Sequence, residues 1–268
     1  FVTASPDGFL SLERTPGKRL VLHGVNLCFS ANYLEHDVAD RLVETLRRAG
    51  YNSVRFHHHD SRLVRKDAET SLELDAENLD RLDYLIAALK KAGFYVTTDL
   101  LVNRPFRPGD GIDCENEATL GNPKSLLPIS EKARANLKAF SRAWLLDHVN
   151  PYTGLPLAHD PVLATLSLVN EEFLVIAWGR APELIPRYRA RFLEWKAAKG
   201  LPEGDEASFP AFLSEIEGDL FRDLRAFVKD ELGVRCPVVT TAADSRGLDP
   251  DRGTIGDVVD AHGYYAHP

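Results

Sequence analysis

The stretch VLATLSLVNEEF, residues 162–173, decides the fold of this chain. It is a short apolar run, rich in branched side chains, that stops abruptly at Asn170, Glu171 and Glu172. Such a run is typical of a parallel strand that is buried on both faces. Carboxylates at the carboxyl end of such a strand lie where barrel enzymes keep their catalytic groups. The alternative is that these polar residues only open the next helix, where acidic side chains favour the helix dipole.

The rest of the sequence alternates between predicted strands and helices. Strands are predicted at 20–27, 52–58, 94–102, 162–171, 237–242 and 257–265. Helices are predicted over 34–49, 75–92, 130–148, 182–199 and 209–232. In the second of these helices, apolar residues recur at three-to-four spacing, as on a buried helix face. Residues 8–22 are predicted to form an N-terminal hairpin with its turn at Pro16-Gly17.

The order of these elements predicts an α/β fold. Repeated strand–helix–strand units call for parallel strands joined by right-handed crossovers. An open nucleotide-binding sheet would need a glycine-rich phosphate loop after an early strand, and the sequence has none. We therefore predict a single domain over residues 1–268, an (β/α)8 TIM barrel of which about six of the eight strands are present.

The composition argues against nucleic acid and membranes as binding partners. The 268 residues are 44% hydrophobic and 27% charged, which is enough to bury a large core. The formal net charge of −8 argues against a nucleic-acid binder, because phosphate contacts need clustered lysine and arginine. No apolar stretch approaches the roughly 20 residues of a membrane span, so no membrane partner is expected.

Polar side chains collect at the predicted strand ends. Arg55 and His57 share one face of the second strand, and His262 and Tyr264 share one face of the sixth, because side chains alternate along a strand. Together with Asn170 and Glu171 they should converge on one rim, as in a barrel active site. Each residue alone also has a structural explanation; Arg55, for example, could pair with Asp99 inside the barrel.

Four motifs in this order resemble the clan A glycoside hydrolases, and most of all family 5, the cellulase and mannanase group. They are GVN at 24–26, NSVRFHH at 52–58, LVNE at 168–171 and DAHGYYAHP at 260–268. The resemblance covers nearly the whole chain and implies an O-glycosyl hydrolase without a cofactor or metal. Its substrate would be an oligosaccharide or polysaccharide with β-linkages.

The resemblance also implies residue roles. Glu171 would be the general acid/base and Asn170 would bind the sugar 2-hydroxyl. Arg55 would hold the nucleophile, and His262 and Tyr264 would support the sugar and the nucleophile. The family often has Asp-Leu-His on strand three, where this chain has Asp99-Leu100-Leu101, so His57 or His58 is expected to fill that space. Among the aromatic residues near the rim, Trp178 is expected to contact substrate, with Tyr265, Phe29 and Tyr33 as further sugar platforms.

The chain departs from the family pattern at its carboxyl end. Retaining glycosidases need two carboxyl groups about 5 Å apart, one protonated and one ionised. The family's nucleophile is a glutamate that ends strand seven, which we expect beyond Pro268; Asp99 and Asp244 are poor substitutes. We therefore expect residues 1–268 alone to be inactive. Six strands would also leave two sheet edges that could pair with another chain.

Two other functions stay open at this point. A metal-dependent barrel hydrolase would use the cluster His57-His58-His59-Asp60 with His262, although consecutive histidines on a strand point to opposite faces. A barrel that lost its nucleophile would be a non-catalytic carbohydrate-binding protein. Enzymes that resemble this chain usually meet their polymers outside the cell, so an extracellular or periplasmic location is expected; oligomeric state is left open.

Overall fold

The computed structural model describes residues 1–114, 116–171, 174–241 and 253–263, which contain two β-sheets. A small antiparallel sheet comprises β1 (Val2–Ala4), β2 (Leu10–Leu12) and β3 (Thr15–Leu20). A parallel sheet comprises β4 (Gly24–Cys28), β5 (Ser53–His57), β6 (Tyr95–Leu101), β7 (Leu163–Val169) and β8 (Val238–Thr241).

Helices follow the parallel strands in the order that the sequence predicts. The longer ones are α1 (His36–Arg48), α2 (Ala76–Lys91), α5 (Glu131–Arg142), α7 (Ile185–Ala198) and α8 (Phe209–Ala226). The shorter ones are α3 (Glu117–Leu120), α4 (Pro123–Leu126) and α6 (Leu174–Ala177). The ends of α2 show why these boundaries arise. The Asp75 side chain accepts a hydrogen bond from the Asn78 amide at the start, and Gly93 follows the end with a φ of 82°. No helix in the described part of the chain is long and apolar enough to cross a membrane.

The strand order of the parallel sheet favours a barrel over a doubly wound sheet. Its strands are hydrogen-bonded in chain order, β4-β5-β6-β7-β8, without the reversal that marks a doubly wound fold. The carboxyl ends of all five strands therefore lie along one edge, which positions the candidate site. Within the described residues, β4 and β8 do not meet, so the sheet is not closed into a barrel and the predicted strand number stays unconfirmed.

The opening prediction, a buried strand within residues 162–171, is confirmed. All residues of β7 are buried except Thr165, which is half-buried. Its neighbours β6 and β8 are also largely buried, because helices such as α8 pack against the sheet. The strand thus ends directly before Asn170 and Glu171, and these two polar residues lie at the rim.

Two predicted details of the N-terminal region are wrong. The hairpin turn lies at Glu13 and Arg14, not at Pro16-Gly17. Pro16 and Gly17 lie inside β3, an exposed edge strand where a missing amide donor is tolerated, and the register of β2 against β3 shifts next to them. The first parallel strand also begins only at Gly24, because the preceding residues up to Leu20 belong to the small sheet.

The predicted sixth strand at 257–265 is also wrong as far as it is described. Residues 257–263 make one isolated parallel bridge, between Val258 and Val239. Asp257 explains why no strand forms here. Its amide donates to the carbonyl of Val238 (2.8 Å), and its carboxylate accepts a hydrogen bond from the amide of Val238 (2.9 Å). At the start of β8, the Asp257 side chain thus accepts the amide hydrogen bond that a neighbouring strand would accept with its backbone. Residues 264–268 lie outside the described part.

Candidate active site

Three backbone positions at the rim have an unusual conformation. In the described part of the chain, the non-glycine residues with positive φ are Phe29 (54°), His58 (50°) and Glu171 (50°). They follow β4, β5 and β7, so all three lie at the carboxyl edge of the parallel sheet. Such conformations cost on the order of 1–3 kcal/mol each and cluster at functional sites. The strain marks this edge as the candidate site.

Neighbouring side chains hold the strained turn after β5. The side-chain amide of Asn32, itself fully buried, donates to the carbonyl of His57 (2.8 Å). The hydroxyl of Tyr33 donates to the carbonyl of His59 (2.5 Å), and burial raises the pKa of that hydroxyl. The loop after β4 therefore fixes the backbone on both sides of His58.

Arg55 is the centre of a hydrogen-bond network that joins three strands. Its Nη2 donates to both carboxylate oxygens of Asp99 (3.0 Å each) and to Oδ1 of Asn170 (2.7 Å). Its Nη1 lies 3.1 Å from Nε2 of His262. Arg55, Asn170 and His262 are predicted from the sequence to meet at one rim, and the structure brings them together.

The Arg55–Asp99 pair is buried and carries an ionised carboxylate. The Asp99 side chain is 0% exposed and that of Arg55 is 17% exposed. Burial by itself would raise the pKa of Asp99, but the nearby His57 ring and the Arg55 charge outweigh burial and hold that pKa below its ordinary value. Nδ1 of His57 lies 3.8 Å from Asp99, too far for a hydrogen bond. His57 thus lies against Asp99 on β6, the third strand of the parallel sheet.

The network continues from His262 to Glu171. Nδ1 of His262 lies 2.7 Å from Oε1 of Glu171. Because arginine nitrogens only donate, Nε2 of His262 accepts from Arg55, and the ring proton is assigned to Nδ1, which donates to Glu171. The His262 contact orients the carboxylate of Glu171. The Glu171 side chain is also 40% exposed, so solvent can reach it.

Glu171 opens onto a cleft of about 360 Å³. The polar side chains that line it are His58, Asn103, Asn122, Lys124, Ser125, Asn170, Glu171 and Arg180. Glu171 is the one carboxylate among the described lining residues. Lys124 and Arg180 are not among the site residues predicted from the sequence. Both lie in short helices or turns after the strands, where neither periodicity nor a motif distinguishes them from other surface cations.

An aromatic pair stands beside the cleft. The ring of Phe29, 49% exposed, stacks on the ring of His58 with centroids 4.4 Å apart. Burial, and then the charge of His57, lowers the pKa of His58, so the imidazole is neutral at neutral pH. Phe29 is one of the sugar platforms predicted from the sequence, and its exposed face is available for that contact.

The other predicted aromatic residues lie elsewhere. Trp178 packs edge-on against Phe209, with 4.7 Å between the ring centroids, and it does not line the cleft. The predicted contact of Trp178 with substrate stays a prediction. Tyr33 is 7% exposed and therefore presents no face to a sugar. The predicted residues Tyr264 and Tyr265, together with Glu172 and Asp244, lie outside the described part of the chain.

His59 and Asp60 serve the fold. Oδ2 of Asp60 accepts from the amides of Val102, Asn103 and Arg104 (2.7–2.9 Å), which orders the loop after β6. His59 is 0% exposed and its ring lies 4.7 Å from that of Trp144. Across the described residues, no three histidine, cysteine or carboxylate side chains are grouped as metal ligands would be. The geometry thus does not favour the metal-dependent alternative.

We predict that His59 makes the fold acid-sensitive. Burial lowers the pKa of His59 from its usual 6.5, and neither ring nitrogen has a hydrogen-bond partner. Because the unfolded chain takes up this proton near pH 6.5 and the folded chain does not, stability falls as the pH drops below that value. The loss is at most about 1.4 kcal/mol per pH unit. Urea unfolding at pH 7.5 and pH 5 should show it in the wild type and show less of it in His59→Phe.

The matched control for this prediction is His23→Phe, because His23 is an exposed histidine. It should retain the wild-type difference between the two pH values. An unchanged pH dependence in His59→Phe would contradict the assignment to His59.

Comparison with known proteins finds similarity in structure. No protein-family model matches the sequence, and no curated protein matches it. A mutant of the glycoside hydrolase family 5 mannosidase from Rhizomucor miehei, solved with mannosyl-fructose, matches with a TM-score of 0.60 and 13% identity, over 98% of this chain and 62% of that chain. The endo-1,4-β-mannanase from the same organism matches with a TM-score of 0.57 and 14% identity, over 90% and 60%. The exo-β-1,4-mannosidase of Opitutaceae bacterium strain TAV5 gives 0.54 and 16%, over 98% and 40%.

At these identities the likeness concerns the fold. It confirms the resemblance to family 5 that the four motifs indicate, and it agrees with the in-order parallel sheet. This chain spans about 60% of the length of the two Rhizomucor miehei structures. The chain therefore shares the fold of family 5 mannosidases and mannanases over somewhat less than two thirds of their length.

Proposed function

We propose that this chain carries the acid/base half of a retaining glycosidase that acts on β-linked glycans. The observation that supports this most directly is the position of Glu171. It follows the buried strand β7, opens onto the cleft and receives a hydrogen bond from His262 (2.7 Å). A fold similar to that of family 5 mannosidases puts this arrangement in the context of a glycosidase.

Glu171 would act in both steps of the reaction. As an acid it protonates the glycosidic oxygen while the bond to the leaving group breaks; afterwards, as a base, it takes a proton from the attacking water. His262 orients the carboxyl group, and Arg55 orients His262 in turn. Arg55 thereby acts as a positioning residue, because it reaches Glu171 through His262.

Asn170 would recognise a sugar hydroxyl with its amide nitrogen. Its Oδ1 accepts from Nη2 of Arg55, which fixes the orientation of the amide group and leaves Nδ2 as the donor. The residue lines the cleft next to Glu171. The sugar 2-hydroxyl is the group that this donor would bind in the proposed reaction.

The second carboxylate is the part of the mechanism that the described residues do not supply. Asp99 is fully buried and bound by Arg55, so it does not reach the cleft. We propose that the nucleophile is a glutamate beyond Pro268, at the end of a seventh strand. Its carboxylate should then lie about 5 Å from that of Glu171, as retention of configuration requires.

The test is hydrolysis by the gene product at its natural length. β-1,4-linked manno-oligosaccharides are the first substrates to try, because the similar structures are mannanases and mannosidases. Proton NMR should show the β-anomer first if configuration is retained. Binding of the oligosaccharide without turnover would instead support the non-catalytic carbohydrate-binding alternative.

We predict that Phe29 contributes to oligosaccharide binding. The exposed ring face, backed by the stacked His58 ring, offers a flat apolar surface at the side of the cleft. Phe29→Ala should weaken binding about 2- to 10-fold, since ring contacts are worth about 0.5–1.5 kcal/mol. Titration calorimetry with mannotetraose would measure this. Leu193→Ala, at an equally exposed apolar side chain on α7, is the control and should bind normally.

A further inference from the structure

The cleft beside Glu171 carries an excess of positive charge. Lys124 and Arg180 both line it, and Glu171 is the one carboxylate among the described residues of its wall. The whole chain, by contrast, has a formal net charge of −8. A concave site whose charge is opposite to that of the protein attracts ligands of the protein's own sign.

Both cations have hydrogen-bonding capacity to spare. Nζ of Lys124 donates to the carbonyl of Asn170 and makes no ion pair within the described chain. An ammonium group has three donors, so two are left. Arg180 is exposed, and no hydrogen bond or ion pair engages its guanidinium among the described residues. Most other arginines of the structure have such a partner, for example Arg189 with Glu206 (2.6 Å).

The positions of the two cations favour a ligand over simple solvation. Lys124 lies on α4, and Arg180 lies in the turn after α6, more than fifty residues later. Cations on an ordinary surface pair with nearby carboxylates or project into solvent. Here two separate segments bring them to the same cleft, next to the carboxylate proposed to do the chemistry.

We propose that the sugar bound in this cleft carries a carboxylate, so that the substrate is a β-linked hexuronide. The planar guanidinium of Arg180 matches the two oxygens of a carboxylate, and Lys124 adds a compact charge. His58 also lines the cleft, but because burial lowers its pKa it is neutral and does not change the net charge of the cleft. The inference rests on the proposed function, because it places the sugar against Glu171.

Binding to the 268-residue chain provides the test, and it does not require catalysis. Three ligands are titrated by calorimetry or NMR: methyl β-mannoside, methyl β-mannuronide and methyl β-mannoside 6-phosphate. The uronide should bind about tenfold more tightly than the neutral mannoside, the equivalent of one charge-assisted contact. This advantage should shrink with added sodium chloride. Arg180→Gln and Lys124→Gln should each lower the ratio of uronide affinity to mannoside affinity to nearly one.

Arg48→Gln is the matched control. It removes one positive charge from the exposed end of α1, away from the cleft, and should keep the preference for the uronide. Because the Arg180 side chain is exposed, Arg180→Gln should fold normally, which circular dichroism would verify.

Three other results would each contradict the inference, and they show whether the proposed sugar site fails with it. Equal binding of the uronide and the neutral mannoside would refute the anionic substrate and leave the glycosidase proposal intact. Tighter binding of the 6-phosphate would show that the cleft selects a phosphate ester and not a carboxylate. If none of the three binds, both this inference and the proposed sugar site are wrong.

Discussion

Glu171→Gln should lower kcat of the natural-length protein on manno-oligosaccharides by about 10²- to 10⁴-fold, the usual contribution of a positioned acid/base group. Glutamine keeps the size of the side chain and can still contact His262, but it carries no proton for the leaving oxygen. The fold should be unaffected, because the Glu171 side chain is 40% exposed.

The substrate should decide how large this loss is. A 2,4-dinitrophenyl glycoside has a leaving group that needs little protonation, so the glycosylation step of the variant should be slowed much less with it. Pre-steady-state kinetics on both substrates would measure the difference. Equal losses on both would contradict the acid role. Glu194→Gln, at an exposed glutamate of α7, is the control and should act like the wild type.

The second large effect concerns stability. Arg55→Met should lower the free energy of unfolding by about 3–5 kcal/mol, because it leaves the carboxylate of Asp99 buried and unpaired. Asp99 is 0% exposed, and its two oxygens both accept from Arg55 at 3.0 Å. Urea unfolding at pH 7 followed by circular dichroism would give the value.

Two further variants make this prediction specific. The double variant Arg55→Met/Asp99→Leu should be more stable than Arg55→Met alone, since neither charge is then left buried. Arg41→Met breaks an exposed pair with Asp37, both 67–70% exposed, and should change stability by less than about 1 kcal/mol. A double variant no more stable than Arg55→Met would mean that lost packing, and not an unpaired charge, is the main cost.

Acid should weaken the same pair. The pKa of Asp99 is lowered in the folded protein, so the stability it contributes is present above the unfolded value of 3.8 and is lost as the pH falls through the lower folded value. This loss lies at more acidic pH than the loss expected from His59, so one stability profile separates the two groups.

The sequence predicted the elements whose hydrophobic pattern is strong. The apolar run ending at Val169 and the spaced apolar residues of α2 specify burial directly, and the structure has both. The meeting of Arg55 and Asn170 was also predictable, because parallel strands place their carboxyl ends along one edge. His262 joins them as expected, although residues 257–263 do not form the predicted strand.

Features that depend on a few local hydrogen bonds were not predictable. The region after Asp257 has strand-like composition, but one side-chain contact to Val238 replaces the ladder. Similarly, nothing in the sequence around Lys124 or Arg180 indicates that two distant surface cations share a cleft. Such facts follow from the path of the loops, which hydrophobic periodicity does not encode.

The hydrogen-bond network of Arg55 has a consequence for biosynthesis. One guanidinium joins residues that lie 44, 115 and 207 positions further along the chain. Contacts of such long range form late, because each closes a long loop of chain. Nearly all of this sequence must therefore be synthesised before His262 can contact Glu171 and orient its carboxylate. A nascent chain that ends before His262 lacks the contact that orients Glu171.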